Sequence, residues 1–240
     1  MAGRPSTGVA TREEDPVTLR LVGYELALGD GWTVVPEAPF DVTTWALEAA
    51  RHLVGPGAPP ATGEPPSLSP EAGAAFAAEP PADPVADLAE AITAVVASAS
   101  GTGVDALTTA FLVRDPSTGS VDAMVTLVAQ TGLTPEAFLA DLERLVAESD
   151  DPPYLYAQQV EADLPGGAAH GAHLMIGHVD PELGQEVAHL EERVVLGVFP
   201  PDCPDMIELT AVSAGVDVFD DMPQTVIDLA GGLTPELGRA

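Results

Sequence analysis

Between Val187 and Leu233 the chain carries two apolar strands, a tight turn and a capped helix in direct succession. No other stretch constrains the fold as much. The first segment, VAHLEERVVLGVF, places Ala188, Leu190, Val194, Leu196 and Val198 on one face of an extended chain, with Glu192 breaking the pattern. The Pro-rich turn Pro200–Pro204 leads into MIELTAVSAG, whose Ile207, Leu209 and Ala211 again share a face. Asp221-Met222-Pro223-Gln224 then predicts a capping box for a closing helix, with Asp221 accepting from the first turn and Gln224 reaching back. Consecutive strands with one buried face, followed by an amphipathic helix, predict an α+β fold: an antiparallel β-sheet flanked by helices.

The upstream segments fit that plan. Val17–Leu28 has strand-like content with a parity slip at Gly23, the mark of a bulge, and Gly29-Asp30-Gly31 reads as a hairpin turn into the short strand Trp32–Pro36. Asp41 is the expected N-cap of a helix with Val42, Trp45, Ala46, Ala49 and Leu53 on one face. Val85–Ala99 is a second helix by its spacing, and Leu107–Val113, apolar on both faces, is a central strand. Val121, Ala123, Val125 and Leu127 alternate as a half-buried strand. Thr134-Pro135-Glu136 starts a third helix, striped by Phe138, Leu139, Leu142, Leu145 and Val146. Tyr154–Ala162 and Gly171–Val179 are two further strands. The domain organisation that follows is a polar arm over residues 1–16, one α+β domain over residues 17–235, and a tail at 236–240. A Pro-rich insertion at residues 55–84 holds nine of the 24 prolines and one short helix begun by Ser69-Pro70-Glu71.

Charge decides which functions are excluded. There are 38 acidic residues against 8 Lys+Arg, a formal net charge of −30, and every one of those cations is an arginine. A surface this negative repels phosphate backbones and anionic membrane surfaces, so neither direct nucleic-acid binding nor membrane association is expected. A chain without lysine cannot build a P-loop, a Schiff base or a kinase phosphate clamp. The single Cys203 rules out an internal disulfide framework and a Cys-rich zinc site. No apolar signal segment is visible, and the longest apolar run, near Val85–Ala99, is too short to cross a bilayer. A cytoplasmic location is the expectation.

Several segments together carry a resemblance. They are the strand and turn LALGDGWTVVPE, the Trp-bearing helix Asp41–Leu53, and the strand–turn–strand TTAFLVRDPSTGSVDAMVTLV. With them go the loop Leu164–Ala169, the E-R-V-V strand at Glu192–Val195 and the closing strand–helix unit. In this order they resemble a family of uncharacterised actinobacterial proteins. The pattern also looks like the PsbP-like fold, shared by LpqN-type mycobacterial lipoproteins and Ran-binding nuclear transport factors. The resemblance implies an antiparallel sheet with flanking helices, and a protein that binds other proteins rather than catalysing. It carries no functional residue onto this chain.

The candidate chemistry centres on His170, His173, His178 and His189, which lie within twenty positions beside the carboxylates Asp180, Glu186 and Glu191. These are the donor types of a zinc or iron site, although their spacing matches no HExxH signature. An extended Gly171–Val179 would also send His173 and His178 to opposite faces. Asp202, Asp205, Glu208, Asp217, Asp220 and Asp221 are candidate Mg²⁺ or Ca²⁺ ligands, but they lack the spacing of a calcium loop and fit turns and caps as well. Ser213 in Ala211–Gly215 lacks the first glycine of a nucleophile elbow. Cys203 sits between carboxylates that disfavour its thiolate.

The expected function is therefore a non-catalytic protein-binding or adaptor module that presents its acidic surface to a basic protein partner, with no cofactor. One alternative is a metal-dependent enzyme with zinc held by the four histidines. A second is an acidic mimic of nucleic acid.

Overall fold

A computed structural model describes residues 19–37, 39–55, 83–100, 107–148, 154–179 and 187–239. The expected arm at 1–16, the helix at Ser69 and nearly all of the 55–84 insertion lie outside those residues. Among the described residues the chain forms nine strands and four helices, and the strands pair antiparallel throughout. The architecture is α+β, as the alternation and helical spacing predict.

In chain order the elements are β1 (Leu19–Leu26), β2 (Trp32–Val34), α1 (Val42–Val54), α2 (Pro84–Ser100), β3 (Thr108–Leu112), β4 (Ala123–Thr131), α3 (Pro135–Glu148), β5 (Tyr154–Leu164), β6 (Gly167–Val179), β7 (Val187–Phe199), β8 (Asp205–Ser213), α4 (Met222–Ala230) and β9 (Leu233–Arg239). Seven strands form one sheet in the order β2-β3-β4-β8-β7-β6-β5, and β1 and β9 form a separate two-stranded sheet. The run from Val187 supplies the two central strands of the larger sheet: Val194, Leu196 and Val198 of β7 register with Ala211, Leu209 and Ile207 of β8. All six are buried.

Three expectations need correction here. Gly29–Gly31 is not a hairpin turn, because β1 pairs with β9 while β2 pairs with β3. The physical reason is the apolar side of β1: Leu21, Tyr24 and Leu26 pack on the core face of the large sheet, so the chain leaves one sheet and enters the other at Gly31 (φ 88°). Residues 236–239 are not a tail but belong to β9, whose Leu233 is buried. The closing helix stops at Ala230, where Gly231 and Gly232 turn the chain so closely under β1 that a Cβ on Gly232 would lie 2.6 Å from the Ala27 carbonyl oxygen. The capping box is half made. Asp221 accepts from the Gln224 amide at 3.0 Å, but the Gln224 side chain turns forward to Asp228 at 2.8 Å. The parity slip at Gly23 is a register irregularity between Leu21 and Gly23, as its sequence suggests.

Each face of the large sheet is covered differently. One face carries the main core, Val125, Leu127, Val194, Leu196, Ile207 and Leu209, closed by α4 through Met222, Val226 and Ala230 and by the β1–β9 pair. The opposite face carries two separate helical layers. At the β3 end, α1 and α2 bury Ala46, Ala50, Leu88 and Ile92 against Phe111. Trp45 meets Phe111 edge-on at 6.1 Å. Asp41 caps α1, and the Thr44 amide and hydroxyl it accepts from hold its carboxyl below the usual range. Over β6 and β7, α3 buries Phe138 and Leu142 against Ala172, Leu174, Val195 and Met206. Gly197 lets Phe138 approach the sheet, since a Cβ there would lie 2.9 Å from its ring.

Candidate functional site

Between the two helical layers the middle of the sheet is only half covered. Strand parity and register put Met124, Thr126 and Gln130 of β4, Glu208, Thr210 and Val212 of β8, and Arg193 of β7 on this face. All are half-buried. Alternation alone explains the choice of residues: the same strands turn Val125, Leu127, Leu209 and Ala211 into the core behind them.

Beside α3 this face deepens into a cleft of about 560 Å³. Its floor is Glu208, Gln130 and Val195; Leu133, Phe138 and Leu142 form the apolar wall, with Asp141 and Arg144 at the rim. Gln130 Nε2 donates to Glu208 Oε2, and the Thr210 hydroxyl lies 3.4 Å from Oε1. Burial raises the Glu208 carboxyl above its ordinary pKa, and the Thr210 hydroxyl offsets this in part. Both hydrogen-bonding neighbours are neutral. Glu208 thus holds a partly desolvated negative charge facing a cleft, while the cation at the rim, Arg144, is engaged with Asp141 at 2.7 Å.

A second cleft, also about 560 Å³, lies at the α2 side, where Val95 faces Met124, Val212 and Glu191. Glu191 is neutralised from within: Arg193 Nε lies 2.9 Å from its Oε1, and His178 Nε2 lies 2.9 Å from its Oε2.

The three histidines whose side chains are described, His170, His173 and His178, do not gather. His170 Nδ1 is 3.7 Å from Glu161 and its ring meets Phe199 edge-on at 6.0 Å. His173 Nε2 is 2.7 Å from Glu192, and His178 pairs with Glu191. Three histidines therefore have three different glutamates. The pleat explains the split: His173 registers with Val194 of the main core, whereas His178 registers with His189 on the other parity. The side chain of His189 lies outside the described residues, as do Asp180 and Glu186. Among the described residues no group of three or more His, Cys, Asp or Glu side chains is placed to hold a metal ion.

The candidate acidic set also disperses. Asp205 is buried and accepts from Arg20 Nε at 2.7 Å and from the Leu21 amide at 3.0 Å. Asp221 caps α4, while Asp217 and Asp220 line a loop cleft with Arg114. Ser213 is fully buried, and its hydroxyl donates to the Gly215 carbonyl at 2.8 Å. Cys203 Sγ faces Asp205 at 3.9 Å. Glu208 alone of the set faces a cleft as a desolvated carboxylate. The sequence signal for it was the parity of MIELTAVSAG, which sets Glu208 opposite the buried Ile207 and Leu209; only the tertiary structure shows that its own side opens between helices.

No protein-family model matches the chain, and a search of curated proteins finds no match. No helix among the described residues is long and apolar enough to cross a membrane.

Proposed function

We propose that the protein is a non-catalytic binding or adaptor module whose acidic surface engages a basic protein partner. The observation that carries this reading is Glu208, a partly desolvated carboxylate open to a cleft and hydrogen-bonded, among the described residues, only to neutral groups, in a chain of net charge −30. Leaving such a charge without a cation is unfavourable, and an incoming cation would relieve it. The arginines support the same reading: Arg20 and Arg193 each pair with a carboxylate held in the fold, Arg144 pairs with Asp141 at the surface, and Arg114 donates to the Val218 carbonyl. The seats taken by Ser213 and Cys203 favour binding over catalysis. The antiparallel sheet with helices on its faces is compatible with the PsbP-like fold, and kinship with that fold is part of the proposal.

The test is affinity capture from native cell lysate on the immobilised full chain. A defined basic protein should be retained at low salt, released between about 0.15 and 0.5 M NaCl, and absent from an equally acidic control matrix. Retention of nothing salt-sensitive would remove the proposal. A captured partner that nucleic acid displaces competitively would instead favour the mimic reading.

A further inference from the structure

Resting on that reading, we propose that the cleft between α3 and the sheet is the anchor site for an arginine side chain of the partner, with Glu208 as its counter-ion. Three features of the cleft fit an arginine. Its floor offers the Glu208 carboxylate, an acceptor for a planar set of donors, with Gln130 beside it. The wall of Leu133, Phe138 and Leu142 suits an alkyl stem. Guanidinium is also more weakly hydrated than ammonium, so it loses less on entering a half-apolar cleft. Charge complementarity selects the partner: a second copy of this chain would bring the same −30 to the contact.

The rim adds a competitor. Arg144 and Asp141 form an exposed pair three residues apart on α3, the kind of pair that contributes little to stability and opens readily. Arg144 places a native guanidinium within the lining of the cleft, and the incoming arginine has to dispense with it.

The experiment uses the full chain, with butylguanidinium as probe and butylammonium and butanol as controls, followed by amide and side-chain carboxyl NMR. Butylguanidinium should shift the amides of β4, β8 and α3 around the cleft and lower the titration midpoint of Glu208. Glu208→Gln, which removes a buried charge and keeps the shape, should weaken the probe about tenfold. Arg144→Gln should leave binding intact or tighten it. Equal binding of butylammonium would overturn the guanidinium assignment. Shifts that survive Glu208→Gln, loss of binding in Arg144→Gln, or self-association of the wild type that Glu208→Gln abolishes would overturn the anchor altogether. The two proposals fail separately: a basic protein captured equally by wild type and Glu208→Gln keeps the adaptor reading and removes the anchor, whereas probe binding without a captured protein does the reverse.

Discussion

Arg20 and Asp205 join the two sheets: the Arg20 Nε lies 2.7 Å from an Asp205 oxygen that also accepts the Leu21 amide. Asp205 is 2% exposed and Arg20 44%, so the carboxylate is the buried member and the guanidinium reaches it from the surface. Arg20→Ala should cost about 2 kcal/mol, less than a fully buried pair because Arg20 is half solvated. Adding Asp205→Asn to Arg20→Ala should recover part of that loss, because the uncompensated buried charge is then gone. Urea unfolding of the single and double variants measures this; a double variant less stable than Arg20→Ala would contradict it.

Glu208 gives a pH prediction with a definite sign. Its folded pKa is raised by burial, so the folded state holds the proton more tightly than the unfolded state. The charged form is penalised at pH values above the raised pKa, and the penalty fades as pH falls through that pKa toward the ordinary value of 4.5. Glu208→Gln should therefore unfold at higher urea than wild type at pH 7, with the two converging near pH 4.5. A gap that widens on acidification would refute the assignment.

Two glycines test how closely the elements approach. A Cβ on Gly171 would lie 1.9 Å from the Val195 carbonyl oxygen, against backbone that cannot yield. On Gly197 the obstacle is the ring of Phe138, a side chain that can shift. Gly171→Ala should cost about 3 kcal/mol or prevent folding, and Gly197→Ala about 1 kcal/mol with loosened docking of α3. Thermal melts rank the two, and hydrogen exchange in α3 reports the second.

At the start of α4, Asp221→Ala should cost about 1 kcal/mol, since it removes the cap on the Gln224 amide. Gln224→Ala removes only the exposed contact with Asp228 and should cost a few tenths of that. Equal losses would mean that Gln224 closes the box in solution.

The sequence carries the local part of this structure well. Helices α2 and α3 follow from their spacing, and the caps Asp41 and Asp221 from side chains that satisfy free amides. It carries the non-local part poorly. The segment LTPELGR alternates only through Leu233, Pro235 and Leu237, has no β-branched residue beyond Thr234, and is a strand because β1 supplies its partner. Likewise Gly29-Asp30-Gly31 has the composition of a hairpin, yet packing of Leu21 and Tyr24 on the core separates the strands it joins. Glu208 is indistinguishable from its acidic neighbours until α2 and α3 are seen to leave its face open.

The pairing of β1 with β9 also orders events on the ribosome. Leu19 meets Arg239 and Leu26 meets Leu233, so a strand emerging early finds its partner only after some two hundred further residues. At about 5–20 residues per second the wait is on the order of 10–40 s. All seven strands of the large sheet can emerge and assemble in that interval while Leu21, Tyr24 and Leu26 have no ladder partner. The nascent chain therefore carries an apolar strand without its ladder partner until β9 is made, and that strand, rather than the sheet, is where a chaperone has reason to hold it.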